Sequence, residues 1–436
     1  MKAASPTYLE IFRSRNLAVV LLLGFASGLP LALTSGTLQA WMTVEGIDLT
    51  TIGIFTLVGL PYTWKFLWAP AMDRFVPPFL GRRRGWLLVT QIALMIGIAF
   101  MGATSPRTAA WTMALLAFFV AFASASQDVV LDAYRADILR DKERGLGAAM
   151  GVLGYRLAML TSGALALILV IGFHFSGFEI PGLGWEKTYW VMAGFMLIGV
   201  TATLWGVEPE VKGGPPKTLE AAVMEPLKEF FSRQGAWWLL ALIIIYKLGD
   251  AFAGSLSTAF LIRGVGFTPV EVGVVNKGMG LAATIVGVVF GGALMIKLGL
   301  FRALLIFGIA QGASNLTFMW LAAAGKSYPL MVLAIGAENI TGGMGTAAFV
   351  ALLMALCDHR FTATQYALLS ALSAVGRVYV GPLAGYATDP KQLGLDWTTF
   401  YFLTFIAALP GLGLLLYLRP AISALGNGNG GESIDV

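Results

Sequence analysis

Residues 108–136 read TAAWTMALLAFFVAFASASQDVVLDAYRA, and the first twenty of them, 108–127, carry no charge. At ~1.5 Å of rise per residue an α-helix of that length reaches about 30 Å, the thickness of a bilayer's hydrocarbon core. In lipid the segment has to be helical, because an open strand would leave backbone N–H and C=O groups without partners. Asp128 and Asp132 then lie on one face of this helix, about one turn apart. Measured from Arg140 at the cytoplasmic end, Asp128 is roughly 18 Å and Asp132 roughly 12 Å along the axis. Both carboxyls are therefore expected inside the apolar slab.

The rest of the chain repeats this pattern. Of 436 residues, 57% are hydrophobic and only 12% charged, with a mean hydropathy of +0.78. Soluble proteins average about 45–50% apolar and 25% charged. Further apolar stretches at about 17–40, 50–72, 86–104, 146–172, 188–207, 237–261, 270–294, 303–324, 327–356, 365–387 and 397–418 bring the expected spans to twelve. No separate soluble domain fits in what is left. The single cysteine, Cys357, permits no internal disulfide, and His174 and His359 are too few for a histidine-rich metal site. Neither metal nor cofactor is expected.

A net charge of +5 would suggest nucleic acid in a soluble chain. Here eighteen of the 29 basic residues fall on connections on the side of the N-terminus and five on the opposite side. That asymmetry places both termini in the cytoplasm and removes the need for a nucleic-acid partner. The first span is long and follows a mixed polar segment, so it reads as a retained helix rather than a cleaved leader.

The longest polar stretch, 208–236, divides the chain six plus six. The expected organisation is a cytoplasmic segment 1–16, a six-helix bundle 17–207, a connector 208–236, a second bundle 237–418 and a disordered tail 419–436. Leu219, Val223, Leu227 and Phe230 stand at helical spacing, so the connector is expected to hold an amphipathic helix on the membrane surface. A weak repeat supports the division: Arg156 and Arg377 each follow a charged turn and occupy matching places in the two halves. The predicted fold class is an all-α membrane protein of two six-helix bundles, the repeat logic of secondary transporters.

Ionisable groups inside spans are costly and tend to face protein or a water-filled path. Desolvation and a neighbouring carboxylate both favour a protonated Asp128 or Asp132, so either carries protons, with the deeper Asp128 ahead. The alternative is that one is permanently ionised against Arg135, Arg156 or Lys65 and ties helices together. Arg156, beside Tyr155, and Arg377 suit a carboxylate or phosphate on a ligand, or equally an internal Asp. Lys65 has aromatic neighbours that stack on a sugar or pack in lipid. Gln127 adjoins the acidic pair. Lys247 and Asp250, at i,i+3, read first as a self-neutralised pair. Lys277, Glu338 and Asn339 complete the candidate ligand contacts. In the turn after the second span, Asp73 and Arg74 through Gly81 and Arg82 read as a conformational latch, although topology alone accounts for the arginines.

This turn, its reduced echo Gly299-Leu300-Phe301-Arg302 and the twelve spans resemble the major facilitator superfamily. More narrowly, Trp64-Lys65-Phe66-Leu67-Trp68-Ala69-Pro70 through Asp73-Arg74 and Gly81-Arg82-Arg83-Arg84, with Ser124-Ala125-Ser126-Gln127-Asp128 and Asp132-Ala133, is similar to the AmpG family of anhydromuropeptide permeases. The resemblance implies proton-driven import of N-acetylglucosaminyl-1,6-anhydro-N-acetylmuramyl peptides across the inner membrane, serving cell-wall recycling and β-lactamase induction. In that family reading Asp128 and Asp132 are the intramembrane acidic pair. The working unit is expected to be a monomer among lipid. Related branches carry acyl-CoA or siderophores, which stand as alternative anionic solutes. A membrane-embedded transferase would need a nucleophile–base set, and His174 and His359 are expected in loops on opposite sides.

Overall fold

The computed structural model describes residues 14–139, 144–175, 178–209, 228, 230–232, 235–356 and 362–426. Most of the connector falls outside them, including Leu219, Val223 and Leu227. Ten helices among the described residues are long and apolar enough to cross a membrane. The chain divides into two compact units, the first containing residues 1–41 and 58–215 and the second 42–57 and 216–436.

In the first unit, α1 (Arg15–Thr34) is followed after Ser35 by α2 (Gly36–Val44). The expected span at 50–72 is not one continuous helix. It is a relay of α3 (Leu49–Ile54), a 3₁₀ turn, α4 (Leu60–Trp64), a second 3₁₀ turn and α5 (Ala69–Arg74). Pro61 and Pro70 lie in the first turns of α4 and α5, where a missing N–H is tolerated but the helix before it cannot run through. The long helices α6 (Arg82–Gly102), α7 (Ala110–Ile138), α8 (Arg144–Leu160) and, after a π-helical turn and the short α9 (Ala166–Ile171), α10 (Gly184–Trp205) complete the unit. Where a loop is expected around His174, strands β1 (Gly172–Phe175) and β2 (Phe178–Pro181) pair antiparallel, with His174 opposite Glu179.

Glycine sets the closest approach in this unit. A Cβ on Gly24 would stand 2.4 Å from the Gly151 carbonyl oxygen, and one on Gly154 would stand 2.0 Å from that of Leu21. The backbones of α1 and α8 touch, as small-residue faces allow in membranes.

The second unit opens with residues 42–57, which pack on α18 (Thr362–Thr388). Gly53, Gly381 and Gly385 make the contact possible: a Cβ on Gly385 would lie 2.4 Å from the Leu49 carbonyl oxygen. Arg263 donates to the carbonyls of Met42 and Thr43, and the Asp389 carboxylate accepts from the Thr50 N–H at 3.2 Å. The unit continues through α11 (Ala236–Ile245), α12 (Leu248–Ser255), α13 (Ser257–Ala259), a π-helical stretch Phe260–Gly264, α14 (Pro269–Val272), a second π-helical stretch Gly273–Met279, α15 (Gly280–Leu298), α16 (Leu300–Ala324), α17 (Tyr328–Ala355) and, after α18, α19 (Trp397–Tyr417). The expected span at 327–356 is thus a continuous 28-residue helix. Its core gathers Leu239, Ile243, Phe307 and Leu352, with Tyr246 stacked on Phe349 at 5.6 Å. Phe230 of the expected surface helix is buried in that core. Of the expected disordered tail, Arg419–Gly426 form α20 and bury Ile422 in the same core, while 427–436 lie outside the described residues.

Candidate functional site

A cavity of about 330 Å³ opens in the first unit, walled by α1, the 3₁₀ turn at Lys65, α7 and α8. Five of the expected site residues, Lys65, Asp128, Asp132, Tyr155 and Arg156, line it together with Arg135. Their meeting follows from the sequence locally. The i,i+4 spacing puts both aspartates on one side of α7, and the glycine-tight pairing of α1 and α8 holds Arg156 beside them. The broken relay at 60–67 lets Lys65 reach across.

The two carboxylates are held differently. Asp128 is half-buried and accepts a 2.5 Å hydrogen bond from the Ser27 hydroxyl on α1, with Lys65 as its strongest charged neighbour. Asp132 is 59% exposed along its side chain and pairs with Arg135 at 2.7 Å. Arg156 touches the Met159 sulfur at 3.8 Å, its one polar contact among the described residues. Its guanidinium therefore keeps donors in hand. Gln127 is fully buried behind the cavity wall, and neither of its amide atoms has a partner among the described residues. Ser27, Gly24 and Gly151 belong to the wall but were not legible as site residues from charge alone; the small-residue spacing of Gly24 and Gly28, which face Gly151 and Tyr155, carries that signal.

At the end of the same unit the arginine turn is organised around α6. Gly81, at φ +81°, ends the turn, and a Cβ there would strike the Glu208 side chain at 2.7 Å. Glu208 accepts from the N–H groups of Arg83 and Arg84 at 2.8 and 2.9 Å, a carboxylate on a helix N-terminus. Arg83 also pairs with Asp137 at 3.0 Å, and Arg84 donates to the carbonyls of Thr203 and Leu204. The sequence points to Asp73, Arg74, Gly81 and Arg82; the contacts at the turn also run through Arg83, Arg84, Asp137 and Glu208. The side chains of Asp73 and Arg74, like that of Arg377, lie outside the described residues.

In the second unit Lys247, Asp250, Lys277, Glu338 and Asn339 converge from α12 and its rim, the π-helical stretch 273–279 and α17. Lys247 donates to Gln311 at 2.9 Å and lies 3.7 Å from Asp250, so that pair is present as expected, with an amide added. Lys277 reaches the Thr258 hydroxyl at 3.4 Å, and Asn339 accepts from Thr284 at 2.9 Å. Nowhere among the described residues do three His, Cys, Asp or Glu side chains stand together as a metal ion would require.

Residues 20–381 match the model of the Major Facilitator Superfamily. The chain belongs to that superfamily. It is 58% identical over 418 residues to the anhydromuropeptide permease of Escherichia coli K12, covering 96% of this chain and 82% of that one. It is 33% identical to a putative transporter, AmpG 4, of Rickettsia conorii, over 95% of this chain and 99% of the relative. Among solved structures, a bacterial homolog of the human lysosomal transporter Spinster superposes with a TM-score of 0.71 at 15% identity, covering 96% and 98% of the two chains. A POT peptide transporter in complex with sulfate gives 0.70 at 14%, covering 94% and 96%. These likenesses carry the major facilitator fold expected from the sequence, in a multi-pass membrane protein. They make the chain a transporter of the superfamily rather than an enzyme.

Proposed function

We propose that this chain imports anhydromuropeptides, N-acetylglucosaminyl-1,6-anhydro-N-acetylmuramic acid and its peptides, from the periplasm to the cytoplasm in exchange for the free energy of protons moving inward. The observation that carries the substrate class is the 58% identity to the E. coli anhydromuropeptide permease across 96% of the chain. The cavity supplies chemistry that suits it. Lys65 and Arg156 offer charge to the carboxylates of a sugar–peptide, and Tyr155 offers a hydrogen bond to sugar hydroxyls.

In this reading Asp128 is the loading group. A carboxyl inside a membrane is costly when ionised and unpaired, and Ser27, Lys65 and the neighbouring Asp132 set how readily Asp128 gives up its proton. Protonation changes the charge the cavity presents and so shifts the balance between states open to either side. Asp132, paired with Arg135, steadies the site, and the turn from Asp73 through Arg82 latches one state. The two bundles, 17–207 and 237–418, work as one monomer in the inner membrane, with both termini cytoplasmic.

The test is uptake by the purified protein in liposomes. Labelled disaccharide should accumulate above equilibrium only when the outside is more acidic, with protons entering alongside it. Accumulation indifferent to the pH gradient would remove the proton coupling; absence of uptake under every gradient, with acyl-CoA or a siderophore carried instead, would remove the substrate class.

A further inference from the structure

The charges on the wall of the 330 Å³ cavity do not cancel. Asp132 and Arg135 neutralise each other at 2.7 Å. Arg135 is also held from the far side: a Cβ on Gly151 would stand 3.0 Å from its Nη1, so the guanidinium lies in the notch that this glycine leaves on α8. What remains is Asp128 on α7, Lys65 on the 3₁₀ turn and Arg156 on α8, all lining the same space. Two cations face one acid.

None of the three is closed against another. The Lys65 ammonium, with three protons to donate, makes no hydrogen bond and no ion pair with any described residue. Arg156 has five donors and touches only the Met159 sulfur among the described residues. Asp128 accepts one hydrogen bond, from Ser27 to its Oδ1, which leaves Oδ2 without a described donor. A hydroxyl donates to a carboxylate and accepts from a protonated acid, so Ser27 serves Asp128 in both states. The other titratable groups around Asp128 add no net charge. They are Tyr62 on α4, Tyr155 on α8 and the Asp132–Arg135 pair on its own helix. The arginines of α6 lie in that helix's first turn, where Arg83 is engaged with Asp137.

With Asp128 ionised, Lys65, Arg156 and Asp128 leave one net positive charge in the cavity; with Asp128 protonated they leave two. An anion drawn in by Lys65 and Arg156 shares a confined space with Asp128, and two neighbouring anions disfavour each other. From this we infer that the carboxylate of the solute and the proton of Asp128 bind with positive coupling, each making entry of the other more favourable. For the bare disaccharide the group is the lactyl carboxylate of the anhydromuramic acid ring. The inference rests on the proposed function and deepens it: the solute's carboxylate, and not its sugar rings, is the part that links binding to the proton. By reciprocity, whatever factor protonation adds to carboxylate affinity, the carboxylate adds to proton affinity.

The experiment uses the full chain in lipid nanodiscs and calorimetry with two probes that differ in one charge, the anhydro-disaccharide acid and its lactyl carboxamide. An ordinary carboxylic acid titrates at about 4, so the charge of the acid probe stays constant between about pH 5 and pH 8. Across that range the affinity of wild type for the acid should be highest at the acid end, where Asp128 already holds its proton, and fall about tenfold in all as pH rises. The carboxamide should bind with little change. Asp128→Asn should abolish the pH step and hold the acid at the affinity wild type shows at low pH. Arg156→Met should cut the preference for acid over carboxamide about tenfold at every pH and keep the step, and Arg156→Lys should restore part of that preference. A folding defect would weaken both probes alike and produce neither pattern. A pH step of equal size for both probes, no step for either, or a step that survives in Asp128→Asn would overturn the coupling and leave the substrate class standing. Wild-type protein that bound neither probe would overturn both.

Discussion

The cavity of the first unit and the polar cluster of the second hold comparable sets of charged side chains, but they hold them in different ways. In the cavity, the acids come from one helix face, and each already has a near partner: Ser27 for Asp128 and Arg135 for Asp132. In the cluster, Lys247 and Asp250 pair at 3.7 Å on α12 and its rim with Gln311 beside them, while Lys277 comes from a π-helical stretch and Glu338 from α17. A pair of acids on one helix is suited to a change of protonation, since moving a proton changes charge without moving a helix. A ring of acids, amines and amides on separate helices is suited to reading a ligand's shape and charge.

The sharpest way to break that comparison is to remove the charge of Asp128. Asp128→Asn keeps the volume and can still accept the Ser27 hydroxyl. Accumulation driven by an acid exterior is expected to fall to background, while exchange of labelled for unlabelled disaccharide, which needs no net proton movement, persists. If the variant still concentrates solute uphill, the proton load belongs to another group and Glu338 becomes the candidate.

The next effect is structural. Gly154→Val would drive a side chain into the Leu21 carbonyl, 2.0 Å from the first added carbon. Overpacking of this kind costs about 1–3 kcal/mol, and forcing α1 from α8 would also pull Ser27 from Asp128. Thermal unfolding in detergent should drop together with transport. An unfolding temperature equal to wild type would show that the two helices separate freely, and the cavity wall would not be the rigid frame described.

How far the sequence reaches can be judged from these same residues. Hydropathy gave the membrane class, because burying apolar side chains in lipid is a large and local term. The i,i+4 spacing brought Asp128 and Asp132 to one face, and the cavity does contain five of the sixteen expected site residues. What stayed hidden depends on pairing across the fold. Glu208 read as the opening of a linker, and nothing local says that it caps α6 some 125 residues earlier. The break of the span at 50–72 was written in Pro61 and Pro70, whose weight a hydropathy average conceals. The packing of residues 42–57 on α18 rests on Gly53, Gly381 and Gly385, which carry no charge or hydropathy to notice.

Glu208 offers a smaller, cleaner effect. Glu208→Gln keeps one acceptor oxygen for the Arg83 and Arg84 N–H groups, turns the other into an amide donor and removes the negative charge at the N-terminus of α6; the charge is worth about 0.3–1 kcal/mol and the lost hydrogen bond about 0.5–1.5 kcal/mol more. Stability should fall by the two together, with more loss at low salt than at high salt. A change independent of ionic strength would assign the contact to hydrogen bonding alone.

The smallest expected effect is at Asp389, in the connection between α18 and α19. Burial pushes its carboxyl up, but hydrogen bonds from the Lys391 and Thr50 N–H groups outweigh burial and hold it below the usual carboxylate range. A group depressed in the folded state stabilises fully above its unfolded value, about 3.9, and loses that contribution as pH falls through the lower folded value. Asp389→Asn should therefore cost about 0.5–1 kcal/mol at pH 7, and the gap from wild type should close below about pH 4. Thermal unfolding of both proteins between pH 7 and pH 3 measures this directly. A gap that persists unchanged at pH 3 would mean that the Thr50 and Lys391 contacts depend on the side chain's shape and not on its charge, and that the anchorage of residues 42–57 on α18 is a matter of glycine packing alone.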